Sequence, residues 1–559
     1  MAPATAFEGA AGVAGQSQAD HASTARGVAS AAVVIMLGNI VSRVLGFARD
    51  TLTAGLFGSG AQATGYLTAL RVQTALYDLL ISGVISAAFI PIFSAIRDDR
   101  EEFRRVGGTI LMLTTIVMIG ALAALELFAR DAVNLLVPDA GLVVAALEGG
   151  TVGALQSGLP IPDSSLDATT AGVTALHLIA PAVLFLGLSG VLTALLYARQ
   201  RVIFPAFSPA IFNFCIVVAA VALHGPLGVN ALVVGVVSGA AAQVLLQLYG
   251  LRATLPRLTL ALRDPRVRQI LRLAVPVFLG LIVTEAQVFI DLRLSNSAAA
   301  GPGALPHLQY ATRLIQLPLG IVAAAMSLAS LPALSRQSGA EYRATLARGL
   351  TFTLVLIVPA VAGFIVLAEP FVALAFQHGV FTASDTAQTA QALRYYAPGL
   401  GFAALDQLLI FAFYAKNDTR TPVVVGVVST LCYLVVALAT LHPLAFRGLA
   451  LGDTAKQVSH ALVLYVLLSR WQGAIEGFSL RGGLGKVLLA GTLLGVFWAV
   501  VERLATPYWT TGTGHLLVFV PVVGLLGLLF YGLLLSRLGV AEFTLLTNRV
   551  GARLRRRPS

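Results

Sequence analysis

The sequence predicts an all-α polytopic membrane protein with about 14 transmembrane helices, arranged as two parallel six-helix lobes plus two C-terminal helices. Composition is the first reason: 57% of the 559 residues are hydrophobic and only 11% are charged, less than half the share in a typical soluble protein. The second reason is that the apolar residues form runs of about 20, the length of a membrane-spanning helix. These features exclude an ordinary cytosolic enzyme and a disordered chain.

Fourteen apolar segments are long enough to be membrane-spanning helices. They are residues 28–57, 66–94, 107–128, 176–197, 207–223, 229–250, 271–295, 309–333, 350–368, 388–414, 422–441, 449–469, 485–502 and 515–537. Because this number is even, both termini are expected on the same side of the membrane.

An internal repeat predicts how these segments are grouped. Tyr197 and Pro205, at the junction of the fourth and fifth spans, recur 217 residues later as Tyr414 and Pro422. The match advances by six spans, an even number, so the two lobes are expected to have the same orientation. The expected regions are a disordered cytoplasmic tail (1–27), a first lobe (28–250) with an extracytoplasmic insertion (131–175), a second lobe (271–469), two additional helices (485–537) and a basic cytoplasmic tail (538–559).

Loop charges predict the orientation in the membrane. Lys and Arg concentrate in the even-numbered connections and in the C-terminal tail, whereas the connection 131–175 contains neither residue type. The positive-inside rule therefore places both termini in the cytoplasm and residues 131–175 outside. The net charge of +11 is spread over many short loops, which argues against a nucleic-acid partner. Cys215 and Cys432 lie within apolar runs, so we expect neither a disulfide framework nor a metal cluster.

The first span carries three charged side chains. Arg43, Gly46 and Asp50 share one helical face, and Arg49 lies on another. A bend or an unwound turn at Gly46 would let both arginines face one cavity. The alternative is a shorter helix that ends near Phe47, with Arg49 and Asp50 at its outer end.

Two further spans carry an arginine on a polar stripe. Arg71 shares a face of the second span with Asp78, and a purely structural contact between these two residues is the alternative to a binding role. Arg313 shares a face of the eighth span with Gln316, and the sequence places no acidic residue within one turn of it. The planar fork of an arginine suits phosphate or diphosphate oxygens. We therefore expect an anion-binding cavity.

Carboxylates within the spans are candidates for a coupling ion. Asp406 is the first candidate, and Glu285 and Asp291 of the seventh span are the others. A carboxylate in an apolar run tends to hold a proton or bind a cation, although a satisfied structural carboxylate is the alternative for Asp406. No cofactor and no resident metal are expected. Sodium, a proton or the membrane potential would supply the energy.

No catalytic signature is present in the sequence. It lacks the Gly-x-x-x-x-Gly-Lys-Ser/Thr, His-Glu-x-x-His and Gly-x-Ser-x-Gly patterns. We therefore expect a transporter without an enzymatic activity.

The first span also carries a family resemblance. The stretch Ser42-Arg43-Val44-Leu45-Gly46-Phe47-Ala48-Arg49-Asp50, followed by Gly55-Leu56-Phe57-Gly58, resembles the first-helix signature of the MurJ (MviN) lipid II flippases. Further matches are Ala88-Phe89-Ile90-Pro91, Phe204-Pro205-Ala206-Phe207-Ser208-Pro209 with Asn213, Arg313-Leu314 before Pro318, and Phe413-Tyr414 before Asp418-Thr419-Arg420-Thr421-Pro422. The resemblance implies a transporter of the MOP superfamily, with two lobes around a central cavity and two added helices forming a lipid-tail groove. It also implies export of the undecaprenyl-diphosphate peptidoglycan precursor.

By this resemblance, Arg43, Arg49 and Arg313 match the cavity arginines of the family, and Asp50 matches the acidic residue that follows the second arginine. Three positions depart from the family pattern: Thr64 replaces an Asp, Tyr77 an Arg and Gln316 a Glu. The expected cavity is still basic but lacks two of the family's acidic groups.

Three functions remain open from the sequence. A flippase for a lipid-linked diphosphate glycan in the bacterial plasma membrane accounts for the arginines. The second function is that of another MOP exporter, for a lipid-linked polysaccharide or a small solute. An exporter of cationic drugs would show more carboxylates in its cavity. A membrane scaffold would need no charged cavity. The expected partners are the lipid-linked glycan and membrane lipids, with a monomeric protein.

Overall fold

The computed structural model describes residues 33–137, 163–473, 475, 478–479, 482–509 and 513–544. The predicted tail 1–27, residues 138–162 of the predicted insertion and residues 545–559 of the basic tail lie outside this part of the chain. Within it, all regular structure is helical.

The described residues contain fourteen long helices and one short helix, besides a single 3-10 turn at Ala298–Ala300 and a helical turn at 541–544. The first seven are α1 (33–57), α2 (61–95), α3 (Arg100–Leu136), α4 (Asp163–Ala198), α5 (Ile203–Leu227), α6 (Asn230–Leu251) and α7 (Pro265–Ser295). The others are α8 (Ala304–Arg336), α9 (Gly339–Val366), the short α10 (Ala368–Phe376), α11 (Ala383–Tyr414), α12 (Arg420–Leu444), α13 (Phe446–Gln472), α14 (Gly483–Trp509) and α15 (Thr513–Arg537).

Each predicted span coincides with a long helix, which confirms the all-α polytopic membrane class. Among the described residues, nine helices are long and apolar enough to cross a membrane. Several helices extend beyond the predicted spans. In α3 the predicted segment began at residue 107, but the helix begins at Arg100, because the Asp99 carboxylate accepts hydrogen bonds from the backbone N–H groups of Glu101 and Glu102. Hydropathy marks the apolar centre of a helix and misses such charged first turns.

Helix α2 is irregular, although the sequence predicted a continuous helix. It widens into π turns over Asp78–Ser82 and Ile85–Phe89 before it continues as Ile90–Ala95. Pro91 has no backbone N–H and cannot continue the i→i−4 hydrogen-bond ladder. The second π turn ends at Phe89, two residues before it. π turns of this kind are frequent at functional sites.

The described residues form two compact units. The first contains α1 up to Thr53, Gly65–Asn134 and Thr169–Phe289; the second contains Ala54–Thr64 and the chain from Ile290 onward, together with the described residues of Leu135–Ala168. Most of α7 thus packs within the first unit, whereas the repeat assigned residues 271–469 to the second lobe. The repeat itself stays a prediction.

In the first unit, an extended connection is fixed along the start of α3. The Arg104 side chain donates to the Leu255 carbonyl (2.9 Å), and the backbone N–H of Arg257 donates to the Arg104 carbonyl (2.9 Å). A Cβ at Gly108 would lie 1.8 Å from the Arg257 carbonyl oxygen. Glycine at this position therefore allows residues 255–261 to lie against α3 and sets where α7 begins.

In the second unit, glycines bring α11, α12 and α13 close together. A Cβ at Gly448 would lie 2.7 Å from the Thr440 carbonyl, and one at Gly399 would lie 2.9 Å from Oγ1 of Thr454. Small residues permit this close approach of helix backbones in membranes. The polar side chains on these three helices are consequently brought within hydrogen-bond distance of one another.

Candidate substrate and ion sites

In the first unit, Arg49 of α1 is held by two side chains. Its Nε (3.0 Å) and Nη2 (2.8 Å) donate to Oδ1 of Asp50, and its Nη1 donates to Oδ1 of Asn213 (3.0 Å). The side chains of Arg49 and Asp50 are only 11% and 13% exposed. The guanidinium group is therefore fixed in orientation within a largely buried environment.

Asn213 of α5 also fixes the backbone of α1. Its Nδ2 donates to the Pro209 carbonyl (3.1 Å) and to the Ser42 carbonyl (3.3 Å). A Cβ at Gly46 would lie 3.4 Å from this Nδ2. Gly46 thus lies next to the amide that orients Arg49.

Helix α1 continues past both points considered from the sequence. The chain is helical from residue 33 to residue 57, so it does not unwind at Gly46 and does not end near Phe47. Gly46 faces Asn213. Arg43 lies on the same helix, and its side chain is exposed.

Arg71 and Glu285 are brought together in the first unit. Glu285 of α7 is 7% exposed, and its charged neighbours include Asp78 and Arg71 of α2. A predicted substrate residue and a predicted ion residue thus belong to one polar cluster. Asp78 begins the first π turn of α2, so the cluster adjoins the irregular part of that helix.

In the second unit, Arg313 of α8 contacts Gln316 of the same helix. The distance from Nη1 to Oε1 is 3.4 Å, which is long for a hydrogen bond. Because Gln316 is neutral where the family resemblance implies a glutamate, it does not cancel the charge of Arg313.

Asp406 of α11 contacts His460 of α13. The distance from Oδ1 to Nδ1 is 2.6 Å, and Nε2 of His460 lies 3.1 Å from the Pro422 carbonyl oxygen. The expectation of a lone carboxylate does not hold, because α11 and α13 pack closely enough to place a histidine against it. The contact satisfies the carboxylate, as the structural alternative expects, and it also pairs Asp406 with a side chain that can bind a proton.

The partners of the two ring nitrogens of His460 indicate where hydrogens lie in this pair. The Pro422 carbonyl can only accept, so Nε2 of His460 carries a hydrogen. The contact between Nδ1 and Asp406 then contains one further proton, on either the ring or the carboxyl group.

Asp291, at the end of α7, belongs to another cluster of the second unit. The Tyr433 hydroxyl of α12 donates to Oδ1 of Asp291 (2.5 Å). Asp453 of α13 lies within electrostatic range of Asp291 and Lys456. In the described part of the chain, no three His, Cys, Asp or Glu side chains form a metal-binding group.

Asn213 and Tyr433, like His460, were not assigned to a site by the sequence analysis. Each is a polar side chain within an apolar run, and this was the available signal. Their partners lie 164 and 142 residues away in the chain, so their roles depend on helix packing.

Comparison with known proteins decides the family. The profile of the lipid II flippase MurJ family matches residues 53–520. The chain belongs to the MurJ family. The matched region begins after Arg49. The resemblance at Arg43 and Arg49 in α1 is therefore additional to the profile match.

Relatives in this family cover most of the chain. The probable lipid II flippase MurJ of Haemophilus influenzae is 28% identical over 541 residues, which cover 91% of this chain and 99% of the relative. The lipid II flippase MurJ of Burkholderia cenocepacia is 30% identical over 400 residues, which cover 69% and 73% of the two chains. These similarities place the chain among multi-pass bacterial membrane proteins.

Solved structures show the same fold. A lipid II flippase MurJ in an inward closed conformation matches with a TM-score of 0.71 at 20% identity, covering 90% of this chain and 99% of the other. An inward-facing multidrug resistance MATE transporter of the MOP superfamily matches with a TM-score of 0.61 at 16% identity, covering 80% and 99%. At these identities the likeness concerns the fold, which the MurJ and MATE families share.

Proposed function

We propose that this protein is a lipid II flippase, which moves the polyprenyl-diphosphate-linked peptidoglycan precursor from the inner to the outer leaflet of the plasma membrane. The family match over residues 53–520 is the observation that carries this proposal. The likeness to MATE transporters extends only to the fold and gives no support to a drug substrate.

Arg49 supports an anionic substrate. A guanidinium group has five N–H donors, and three of them bond to Asp50 and Asn213. The described contacts leave the two other N–H groups of Arg49 to donate to phosphate oxygens. Because the group is already oriented, little conformational entropy is lost when an anion binds. Arg43 on α1, Arg71 in the first unit and Arg313 with Gln316 in the second unit are proposed as further substrate contacts.

The energy source is proposed to act on carboxylates in the helices. The contact between Asp406 and His460 is proposed to carry a proton, and alternating access would expose that proton to either side in turn. Glu285 and Asp291 are the alternative ion-binding residues. No cofactor is proposed, and the protein is proposed to act as a monomer with both termini in the cytoplasm.

Growth complementation tests the proposed function. The chain should restore growth to bacterial cells depleted of their own lipid II flippase, and Arg49→Ala should fail to do so at equal protein level. The control is Arg348→Ala, which removes an exposed arginine whose described hydrogen bond is to the Ala344 carbonyl of the same helix. No rescue by the unmodified chain, despite its presence in the membrane, would contradict the proposal.

A further inference from the structure

An apolar groove lies within the first unit, and neither Arg43 nor Arg49 is among its lining residues. It has a volume of 390 Å³ and is formed by α2, α3 and α7. Its walls include Ile81 and Phe89 from α2, Thr114 and Met118 from α3, and Ala274 and Phe278 from α7. Thr114 supplies the single hydroxyl among the lining side chains. The size and lining are those of a site for a small apolar ligand.

The groove is open at the protein surface. Val117, Leu271 and Val275 line it and are 49%, 44% and 58% exposed. Residues 270–278 of α7 cover a length of about 12 Å at the rise of an α-helix. An elongated, open apolar groove on a membrane-spanning unit is filled most simply by a hydrocarbon chain from the surrounding lipid.

Two basic residues of α7 lie close in sequence to the residues that line this groove. Arg268 and Arg272 lie on α7 before and within its lining segment, and both are exposed. The acidic residues Glu102 and Asp264 are bonded to Arg266 and Arg105. A phosphate group would therefore meet net positive charge where the hydrocarbon groove begins.

The irregular part of α2 forms one wall. Ile81 lies in the π turn Asp78–Ser82, and Phe89 ends the π turn Ile85–Phe89. Asp78, which begins the first of these turns, is also a neighbour of Glu285. A ligand in the groove would contact the same turn that positions this polar cluster.

We propose that the groove binds one acyl chain of a membrane phospholipid, with the lipid phosphate held at Arg268 and Arg272. The bound chain supports the π-turn form of α2 from the lipid side. This site is distinct from the proposed substrate contact at Arg49.

Photocrosslinking in proteoliposomes tests this site with the full-length protein. The probe is a phospholipid with a diazirine near the middle of one acyl chain, and the adducts are mapped by mass spectrometry. We expect adducts concentrated on residues 270–278 and on Val117. Ala274→Trp fills the groove and should reduce these adducts by about tenfold, because several methylene groups lose their apolar contacts. Arg272→Glu should also reduce them, through repulsion of the phosphate.

Matched variants keep the result interpretable. Val435→Trp places the same bulk on an exposed face of α12, where the residue is 67% exposed, and should leave adducts in the groove unchanged. If Ala274→Trp is not monodisperse, Thr114→Phe fills the groove from α3 instead.

Two crosslinking results would overturn the proposal: adducts spread evenly over all lipid-facing helices, or adducts that are unchanged in the filled variants. Displacement of the probe by undecaprenyl diphosphate would also overturn it, because the groove would then hold the substrate's tail. Crosslinking does not require flipping, so this result is independent of the proposed transport activity.

Discussion

The carboxylate of Asp406 and the imidazole of His460 are 2.6 Å apart, although they lie 54 residues apart in the chain. Glycines at the contacts of α11, α12 and α13 make this approach possible. A buried pair of this kind is sensitive to the loss of either partner, because the remaining polar group is then left without compensation.

We therefore expect Asp406→Asn and His460→Gln each to destabilise the protein by about 3 kcal/mol. The double variant should lose much less than the sum of the two single losses, since neither partner remains. Thermal unfolding of the detergent-solubilised protein measures this cycle. Strictly additive losses would show that the two residues do not interact.

The proton held by this pair gives a separate prediction about transport. Asp406→Asn removes the carboxyl group that shares the proton, so flipping should no longer respond to an imposed pH gradient. The measurement is lipid II flipping in proteoliposomes with and without that gradient, at equal protein amount. An unchanged response in the variant would assign Asp406 to structure alone.

Asn213→Ala should impair flipping without removing any charge. The substitution deletes the amide that accepts from Arg49 and donates to the backbone of α1, so the guanidinium group loses its orientation. A loss of about 1–2 kcal/mol of stability is expected from the broken hydrogen bonds. Gln388→Ala, at an exposed amide of α11, is the control. If Asn213→Ala and Gln388→Ala flip lipid II at equal rates, Asn213 is not part of the substrate site.

Asp418 gives a prediction about pH. Its carboxylate accepts from the backbone N–H of Arg420 and from the N–H and hydroxyl of Thr421, and these bonds hold the pKa of Asp418 below its usual value. A lowered pKa means stabilisation above the unfolded-state value, about 3.9, that is lost as the pH falls through the folded-state value. Asp418→Ala should cost about 1 kcal/mol at neutral pH.

The pH dependence of unfolding measures this contribution. The stability difference between the parent and Asp418→Ala should shrink as the pH is lowered below about 4. Asp98→Ala, at a carboxylate that is 92% exposed, should change little at any pH. A difference that is constant down to low pH would contradict the role of the ionised carboxylate.

Topology is tested by labelling of single cysteines. Cys215 and Cys432 are first replaced by serine, and a cysteine is then placed at Gly158 or at Ser559. In intact cells, a membrane-impermeant thiol reagent should label the first position and not the second, as the distribution of Lys and Arg predicts. Equal labelling would contradict the orientation.

The sequence predicted the helices better than the sites, for physical reasons. Apolar runs locate membrane-spanning helices because the bilayer requires them, and all fourteen coincide with long helices. Charged first turns, as at Arg100, and the π turns of α2 depend on local hydrogen bonds that hydropathy does not report. The family resemblance indicated Arg49 as a site residue. Its orientation by Asn213 could not be predicted, because that contact is made by the packing of α1 against α5.

The decisive measurement is flipping of a fluorescent lipid II by the purified protein in proteoliposomes, followed by access of an external quenching reagent. The parent protein should flip the lipid, Arg49→Lys should be impaired, and Arg49→Ala should be impaired more strongly, since a lysine supplies a point charge without the planar fork. Arg313→Lys and Arg313→Ala should follow the same order, and Arg348→Ala should match the parent. Flipping at the parent rate by folded Arg49→Ala and Arg313→Ala would place the diphosphate site elsewhere. A parent protein that flips no lipid II would contradict the proposed function itself.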